Sequence, residues 1–306
     1  MRYINKYENS AAIQAAVDNE QLGKPYVAYD MELGKIVWGS KNQFKKMPLT
    51  FEITGDGYID WFTETEEKGL IIEYKLNDGD WTELGATTEG THIDVVSGDT
   101  VQFRGKNDSY FDLDLNSIVG SFNGSTCEFN VKGNIMSLIN STNYTNLTSF
   151  PEGSSDNFAF LFDNCTGLTD ASNLLLPATT LANDCYFAMF NDCHSLTTAP
   201  ELPATTLAEE CYGNMFKYCT SLTTAPELPA TTLAEMCYAN MFEGCTNLNY
   251  IKCLATDISA TDCTIGWAID VAETGTFITP STTNWTTGVN GIPTNWTRVN
   301  SDVDGR

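Results

Sequence analysis

The chain has 306 residues, of which 42% are hydrophobic and 18% are charged, so it is long enough for two or three domains with hydrophobic cores. Its formal net charge of −24 argues against nucleic acid as a partner, because backbone phosphates are neutralised by Lys and Arg. There is no apolar run long enough to span a bilayer, and the opening MRYINKYENS lacks the apolar segment of a signal peptide. We therefore predict no membrane insertion and expect folding in a cytoplasm.

Residues 1–48 are predicted to form a small N-terminal α/β segment. A helix is expected over Ser10–Leu22, and two short strands over Val27–Tyr29 and Lys35–Trp38. The segment holds seven Lys or Arg and five Asp or Glu, which is a charge of +2. Because the whole chain carries −24, the remaining residues carry −26. This charge difference favours a docking segment that meets another protein, and a small basic lobe is the alternative.

Residues 49–132 are predicted to form a β-sandwich-like domain. Six strand-like runs, LTFEIT, GYIDWF, LIIEYKL, DWTEL, HIDVV and VQFRG, are separated by turns rich in Gly, Asp and Asn. Short strands at such close spacing are typical of sandwiches and small barrels. We expect Trp61, Tyr74 and Trp81 to lie in the core of this domain rather than to form a ligand platform.

One unit is repeated along residues 133–270. The sequence LTTAPELPATTLAE occurs at 196–209 and again at 222–235, and Cys193, Cys219 and Cys245 follow one another at a 26-residue interval. A fixed period of this length is typical of a solenoid, in which each unit buries its apolar face against the next.

Each unit is predicted to contain one helix and one extended segment. Thr206 and Glu209 fit a capping box, and the residues of the helix that follow place one apolar face towards the neighbouring units. This face consists of Leu207, Cys211, Tyr212, Met215 and Phe216. Prolines keep the next segment extended. Residues 271–306 are predicted to cap the open end of the solenoid.

All ten cysteines lie between Cys127 and Cys263, and most of them fall on two columns of the repeat. Units stacked ~5 Å apart would bring column neighbours close enough for disulfides. In a reducing cytoplasm, however, such cysteines act as small hydrophobic side chains, so we predict buried free thiols.

The repeat resembles a known family. The pattern Phe-x-x-Cys-x-x-Leu, together with LPATTL and CYxxMF, is similar to the BspA-like leucine-rich repeats of treponema and bacteroides surface proteins, over about residues 158–270. The wider layout, with Met1–Ile4, Gly98–Gly105, Gly133–Leu138 and Trp285–Trp296, resembles multi-part proteins of gut Bacteroidales and their crAss-like phages. The resemblance implies an adhesive or virion-surface role and brings no catalytic residues with it.

These predictions together define the expected fold class, which is mixed α/β. A leucine-rich-repeat solenoid with a period of about 26 residues is expected over 133–270. It is preceded by the β-sandwich-like domain at 49–132 and the N-terminal segment at 1–48, and it is closed by the cap at 271–306.

The sequence contains no motif that carries chemistry. Nucleophile elbows, phosphate loops, HExxH zinc motifs and dinucleotide fingerprints do not occur. His92 and His194 are the two histidines, which is little material for a triad or a metal cage. Asp112, Asp114 and Asn116 have the spacing that opens a calcium loop, but the glycine required at its sixth position is absent. We predict a non-enzymatic protein without cofactor or metal.

The functional hypothesis is a phage virion structural protein of the fibre or decoration type. Residues 1–48 would attach it to other virion proteins, and the repeats would bind a host surface protein or glycan from the virion surface. The alternative is a bacterial cell-surface adhesin that binds host protein or glycan, and a homo-oligomer is left open in both cases. The candidate binding residues are Thr197, Thr198, Glu201, Thr223, Thr224, Glu227, Trp285 and Trp296.

Overall fold

The computed structural model describes residues 5–7, 27–30, 35–38, 42–63, 71–85, 87–107 and 120–301. Its first sheet has three strands, β1 (Asn5–Tyr7), β2 (Val27–Asp30) and β3 (Lys35–Trp38), in which β2 is parallel to β1 and antiparallel to β3. The two strands predicted in this segment are confirmed. The predicted helix over Ser10–Leu22 and the calcium-loop spacing at Asp112–Asn116 lie outside the described residues.

The six strand-like runs between residues 49 and 105 are all strands. After a four-residue helix, α1 (Asn42–Lys45), come β4 (Leu49–Ile53), β5 (Gly57–Trp61), β6 (Ile72–Leu76), β7 (Thr82–Leu84), β8 (Thr91–Val95), β9 (Thr100–Gly105) and β10 (Phe129–Asn134). Strand β9 shows why the sequence dictates this structure: its alternate residues Val101, Phe103 and Gly105 are buried, and those between them are partly exposed.

Two sheets pack around an aromatic core. One has the order β11-β10-β4-β9-β6-β7, where β11 is Leu168–Leu175, and the other pairs β5 with β8. Phe51 lies at the centre, with its ring centroid 4.6 Å from that of Phe129 and 4.8 Å from that of Phe122. Trp61 is fully buried against Phe122. Trp81, in contrast, is half-exposed under the guanidinium of Arg104, so it does not belong to the core as predicted.

The sheet continues from this region into the repeats. Strand β10 crosses the boundary predicted between residues 132 and 133, and it pairs in parallel with β11, which belongs to the first repeat. The ring of Phe51 also lies 5.9 Å from that of Phe162 in the first repeat. A single cluster of buried residues therefore extends from Leu49 to Trp296.

The predicted fold class is wrong. Apart from α1 and two short 3-10 turns, Ile135–Leu138 and Tyr144–Asn146, the described residues form strands, turns and irregular segments. The structure is thus almost entirely β, its sheets do not form a solenoid, and the mixed α/β class is not supported. In particular, the helix predicted after the capping box at Thr206–Glu209 does not form.

A chain of four-residue turns takes the place of each predicted helix. Every fourth residue of these segments has a positive φ, at 156, 160 and 164, then at 184, 188 and 192, at 210, 214 and 218, at 236, 240 and 244, and at 262, 266 and 270. A helix cannot contain such residues, because L-amino acids adopt the left-handed region only singly. We refer to residues 156–270, which contain these five segments, as the repeat stack.

Hydrogen bonds explain why turns replace helices. The amide of Phe187 donates to the carbonyl of Asp184 within the turn at 3.0 Å, whereas the amide of Ala188 donates to Gly213 of the next repeat at 2.8 Å. The same alternation holds along the segment. In an α-helix every one of these amides would bond within its own segment. Here about half of them join one repeat to the next.

Identical side chains stack along the repeats. The rings of Tyr186 and Tyr212 are 5.7 Å apart with planes inclined by 8°, and those of Phe190 and Phe216 are 5.5 Å apart and inclined by 2°. These fully buried columns supply most of the aromatic core of the repeat stack.

The C-terminal end is a three-stranded parallel sheet of β12 (Tyr250–Lys252), β13 (Thr276–Thr279) and β14 (Thr297–Asn300). Trp267 continues the aromatic columns and packs against Phe277 of β13. The segment after the repeats thereby covers their last apolar layer. No helix in the described part of the chain is both long and apolar enough to cross a membrane.

Candidate functional site

Six of the predicted binding residues, four threonines together with Glu201 and Glu227, form what we call the threonine face. Thr197, Thr198, Thr223 and Thr224 are all exposed, at equivalent positions of neighbouring repeats. The backbone holds them in place, since the amide of Thr197 donates to the carbonyl of Thr169 and that of Asn249 to the carbonyl of Thr223, both at 3.0 Å. The hydroxyl of Thr197 also donates to Thr169 at 2.9 Å. Each of the two repeats thus presents a pair of exposed threonines at equivalent positions.

The two glutamates of this face have different surroundings. Glu227 is exposed and its Oε2 lies 2.8 Å from Lys252 Nζ. Glu201 lines a groove of 230 Å³ together with Lys45 and the apolar side chains of Leu174 and Leu176. The copies are equivalent in sequence, but Glu227 is paired with Lys252 whereas Glu201 lines a groove, so their surroundings are not repeated.

The two candidate tryptophans are nearly buried. Trp285 and Trp296 are each 8% exposed. The ring of Trp285 stacks on Trp267 at 5.3 Å, and its Nε1 donates to Thr279 Oγ1. The Nε1 of Trp296 donates to the carbonyl of Ala272. Their polar atoms and much of their rings are used in closing the end of the repeat stack, which leaves little of either side chain accessible to a ligand.

The structure contains a larger cleft that the sequence did not reveal. It has a volume of 460 Å³, within the roughly 300–1,000 Å³ range of ligand clefts, and it lies between the loop 149–155 and the start of the next repeat. We call it the first-repeat cleft. Its lining consists of Ser149, Phe150, Pro151, Gly153, Ser154, Ser155, Thr180, Leu181, Ala182, Asn183 and Ala208.

A buried amide lies directly behind this cleft. Asn157 occupies the position that Cys185 and Cys211 hold in the next two repeats, and it is fully buried. Its Oδ1 accepts a hydrogen bond from the Oγ of Ser154, a residue of the cleft lining, at 3.3 Å, and its Nδ2 has no hydrogen-bond partner among the described residues. An unpaired buried donor is costly in a folded protein, so this polar exception in an apolar column marks the cleft as unusual.

A row of carboxylates runs beside the first-repeat cleft. Asp156, Asp184, Glu209 and Glu210 come from the turns of three consecutive repeats, and Asn183 of the cleft lies 3.5 Å from Glu209. Partial burial, followed by the charges of Asp156, Glu210 and Glu209, raises the pKa of Asp184 to about 7. Burial is also the largest cause of the raised pKa of Asp156 and Glu210. The surroundings of the cleft are therefore strongly acidic.

The ten cysteines are buried free thiols. Several of them donate to the carbonyl of the preceding repeat, as Cys219 does to Phe190 at 3.1 Å and Cys245 to Phe216 at 2.9 Å. Burial raises the pKa of Cys211 to about 12, which leaves the thiol unreactive. Within the described ranges, no group of three or more His, Cys, Asp or Glu side chains is placed to hold a metal ion.

Both histidines lie near an aspartate, and His194 Nε2 is 3.5 Å from Asp192 Oδ1. His92 Nε2 lies 3.6 Å from Asp60 Oδ1, and its ring stacks on Tyr58 at 4.0 Å. The nearby hydroxyl of Ser125 donates to the carbonyl of Phe122 at 2.7 Å and accepts the amide of Asp60. That serine is therefore engaged with the backbone, and the three residues do not form a nucleophilic triad.

No protein-family model, curated protein or solved structure matches the chain. The likeness to BspA-like repeats and to phage proteins consequently remains a resemblance of sequence motifs, and its functional implication remains a hypothesis.

Proposed function

We propose that this protein is a non-enzymatic structural protein of a phage virion that carries an adhesive surface for the host cell. In this proposal residues 1–48 attach the protein to other virion proteins. The repeat stack faces outward and binds a host surface protein or glycan.

The observation that carries the adhesive part is the regular array of exposed hydroxyl groups. Backbone contacts join Thr197 and Thr198 to the preceding repeat, at Thr169 and Asp170, and Thr223 and Thr224 to the segment that follows, at Asn249 and Tyr250. A surface held rigid before binding loses little conformational entropy on contact. Repeated weak contacts on such a surface also add through avidity, without requiring any single strong site.

The attachment part is supported by the charge distribution. The segment 1–48 carries +2, in a chain whose total is −24. A segment with a charge unlike that of its own protein is suited to a different, acidic surface. The sequence resemblance to proteins of crAss-like phages supports a virion as the site of attachment.

Two measurements test the proposal. Mass spectrometry of purified virions should detect the chain, and fluorescently labelled full-length protein should bind host cells. Replacing Glu201 and Glu227 together by Lys should weaken that binding, with Glu89→Lys and Glu273→Lys as a control pair of exposed residues outside the threonine face. Absence from virions combined with intact cell binding would favour the alternative, a bacterial cell-surface adhesin that binds host protein or glycan. Equal binding by both charge-reversed pairs would contradict the chosen face.

A further inference from the structure

The first-repeat cleft results from a local difference between repeats. Ser149 pairs with Thr180, and the amide of Asp156 donates to the carbonyl of Asn183, so both ends of the loop are in register with the second repeat. Seven steps along the chain lead from Ser149 to Asp156, but only four from Thr180 to Asp184. The three additional residues cannot follow the stacked path. They bulge outward, with Gly153 at φ +78°, and this bulge forms one wall of the cleft.

The lining of the cleft is polar but uncharged. Hydroxyl groups are supplied by four residues, and a side-chain amide by Asn183. Ser149, Ser154, Ser155 and Thr180 are the hydroxyl residues. Phe150 and Leu181, which are 9% and 8% exposed, provide an apolar floor. Several hydrogen-bonding groups beside a small apolar surface match a pyranose ring, which has hydroxyl groups at its edge and C–H groups on its faces.

The carboxylates beside the cleft limit the charge of a ligand. Asp156 and Asp184 directly follow the lining residues Ser155 and Asn183, and Glu209 is hydrogen-bonded to Asn183. Like charges at short range cost binding energy, so anionic sugars, phosphates and sulfates are disfavoured. None of the residues that line the cleft is Lys or Arg, so nothing in the lining offsets this repulsion.

We propose that the first-repeat cleft is a binding site for one neutral hexopyranose unit, free or at the end of a glycan chain. The proposal specifies the ligand class of the adhesive surface and in that sense rests on the proposed function. The site is distinct from the threonine face, because none of Thr197, Thr198, Thr223 or Thr224 lines the cleft.

The repeats offer matched controls for a test. Ala208 lines the cleft, whereas Ala234 stands at the same position of the next repeat and does not; both are half-buried. In the same way, the exposed Thr180 lines the cleft and the exposed Thr206 is its copy outside it. The variants are Ala208→Trp, which fills the cleft, and Thr180→Val, which removes one hydroxyl at constant shape, each paired with the same change in its copy.

Binding to the full chain is measured by saturation-transfer NMR with the methyl glycosides of glucose, galactose and mannose, and with glucuronic acid as the anionic probe. We expect at least one neutral glycoside to bind and glucuronic acid not to bind. Ala208→Trp should weaken binding by about tenfold or more and Thr180→Val by a smaller factor, while Ala234→Trp and Thr206→Val leave it unchanged. If a disaccharide that ends in the same sugar binds as tightly as the monosaccharide, the cleft also accepts the end of a glycan chain.

The proposal is overturned if no neutral glycoside binds, or if Ala208→Trp and Ala234→Trp bind equally well. Should Ala208→Trp fail to fold, Thr180→Val and its copy decide the question alone. If labelled protein adheres to host cells but no glycoside binds, the cleft proposal fails and the adhesive function stands. If a glycoside binds in the cleft but labelled protein does not adhere to cells, the adhesive function fails and the cleft proposal stands.

Discussion

The β-sheet region at 49–134 and the repeat stack at 156–270 are both built from apolar residues at regular spacing, but they differ in how the backbone meets its hydrogen-bonding needs. In the sheets, alternating residues face the core and neighbouring strands satisfy one another. In the repeat stack, amides bond alternately within a turn and to the next repeat. The second arrangement is not predicted from helix or strand patterns, because one segment contains both local and long-range hydrogen bonds.

The largest expected effect concerns the core that the two regions share. Phe51 is fully buried and contacts Phe103, Phe122, Phe129 and Phe162, whereas Phe216 is fully buried between Phe190 and Phe242. We expect Phe51→Ala and Phe216→Ala each to reduce the free energy of unfolding by roughly 3–5 kcal/mol. Because one buried cluster joins the regions, both variants should shift a single transition.

Urea titrations, followed by tryptophan fluorescence and by circular dichroism, measure the free energy of unfolding. The wild-type protein should show coincident transitions by the two probes, and each variant a lower midpoint in both. If Phe51→Ala moved one of two separate transitions and Phe216→Ala the other, the regions would be independent folding units.

A smaller effect on stability distinguishes the chain of turns from a helix, because its sign differs between these two backbone structures. Asn214 has φ +54°, where Gly is favoured and a residue with a Cβ costs about 1–2 kcal/mol. We therefore expect Asn214→Gly to be about 1 kcal/mol more stable than Asn214→Ala. In the helix that the sequence suggested, Ala would instead be favoured over Gly by about 1 kcal/mol.

Thermal unfolding of the two variants checks this order. Glu209 is a suitable control because it is exposed and lies in the same turn segment outside the positive-φ positions. At this position Glu209→Ala should be more stable than Glu209→Gly. The same order at both positions would contradict the chain of turns.

Particular residues show how far the sequence could lead. The strands of the sheet region follow from alternation, and the repeat period follows from the cysteine columns. In the repeat stack Cys211, Met215 and Cys219 keep a strict four-residue spacing and are all fully buried. An α-helix turns its face by about 40° over every four residues, so residues at i, i+4 and i+8 also fit one apolar helix face. The spacing therefore did not distinguish the turns from a helix.

The remaining differences arise from tertiary structure. Ten of the fifteen positive-φ positions in the repeat stack hold Asp, Asn or Gly, which tolerate that conformation, but others, such as Ala188, Glu210 and Tyr218, have no preference for it. Local propensity therefore gives only a partial sign of the turns. The first-repeat cleft depends on three additional residues whose effect appears only when Ser149 is aligned with Thr180. Trp285 was a candidate binding residue within the predicted cap, and it is nearly buried because the end of an apolar stack needs a large ring to cover it.

The smallest expected effect is a pH dependence of stability that arises in the repeat stack. The pKa of Asp184 is raised to about 7, by partial burial first and then by the charges of Asp156, Glu210 and Glu209. A folded-state pKa above the usual value of an unfolded aspartate means that the folded protein binds the proton more tightly. The stability contributed by this group is therefore full below about pH 4 and is lost as the pH rises towards 7.

The variant Asp184→Asn tests this sign, because it keeps the shape of the side chain and its tolerance of a positive φ. It should raise the unfolding midpoint at pH 8 and leave it unchanged at pH 4. The carboxyl is half-exposed and screened by water, so we expect a gain of about 1 kcal/mol or less. Asp257→Asn is the control, since hydrogen bonds from Ser259 lower the pKa of that exposed carboxylate and its removal should bring no gain at pH 8. Equal gains for the two variants at pH 8 would mean that net charge, rather than the contact between stacked turns, limits stability.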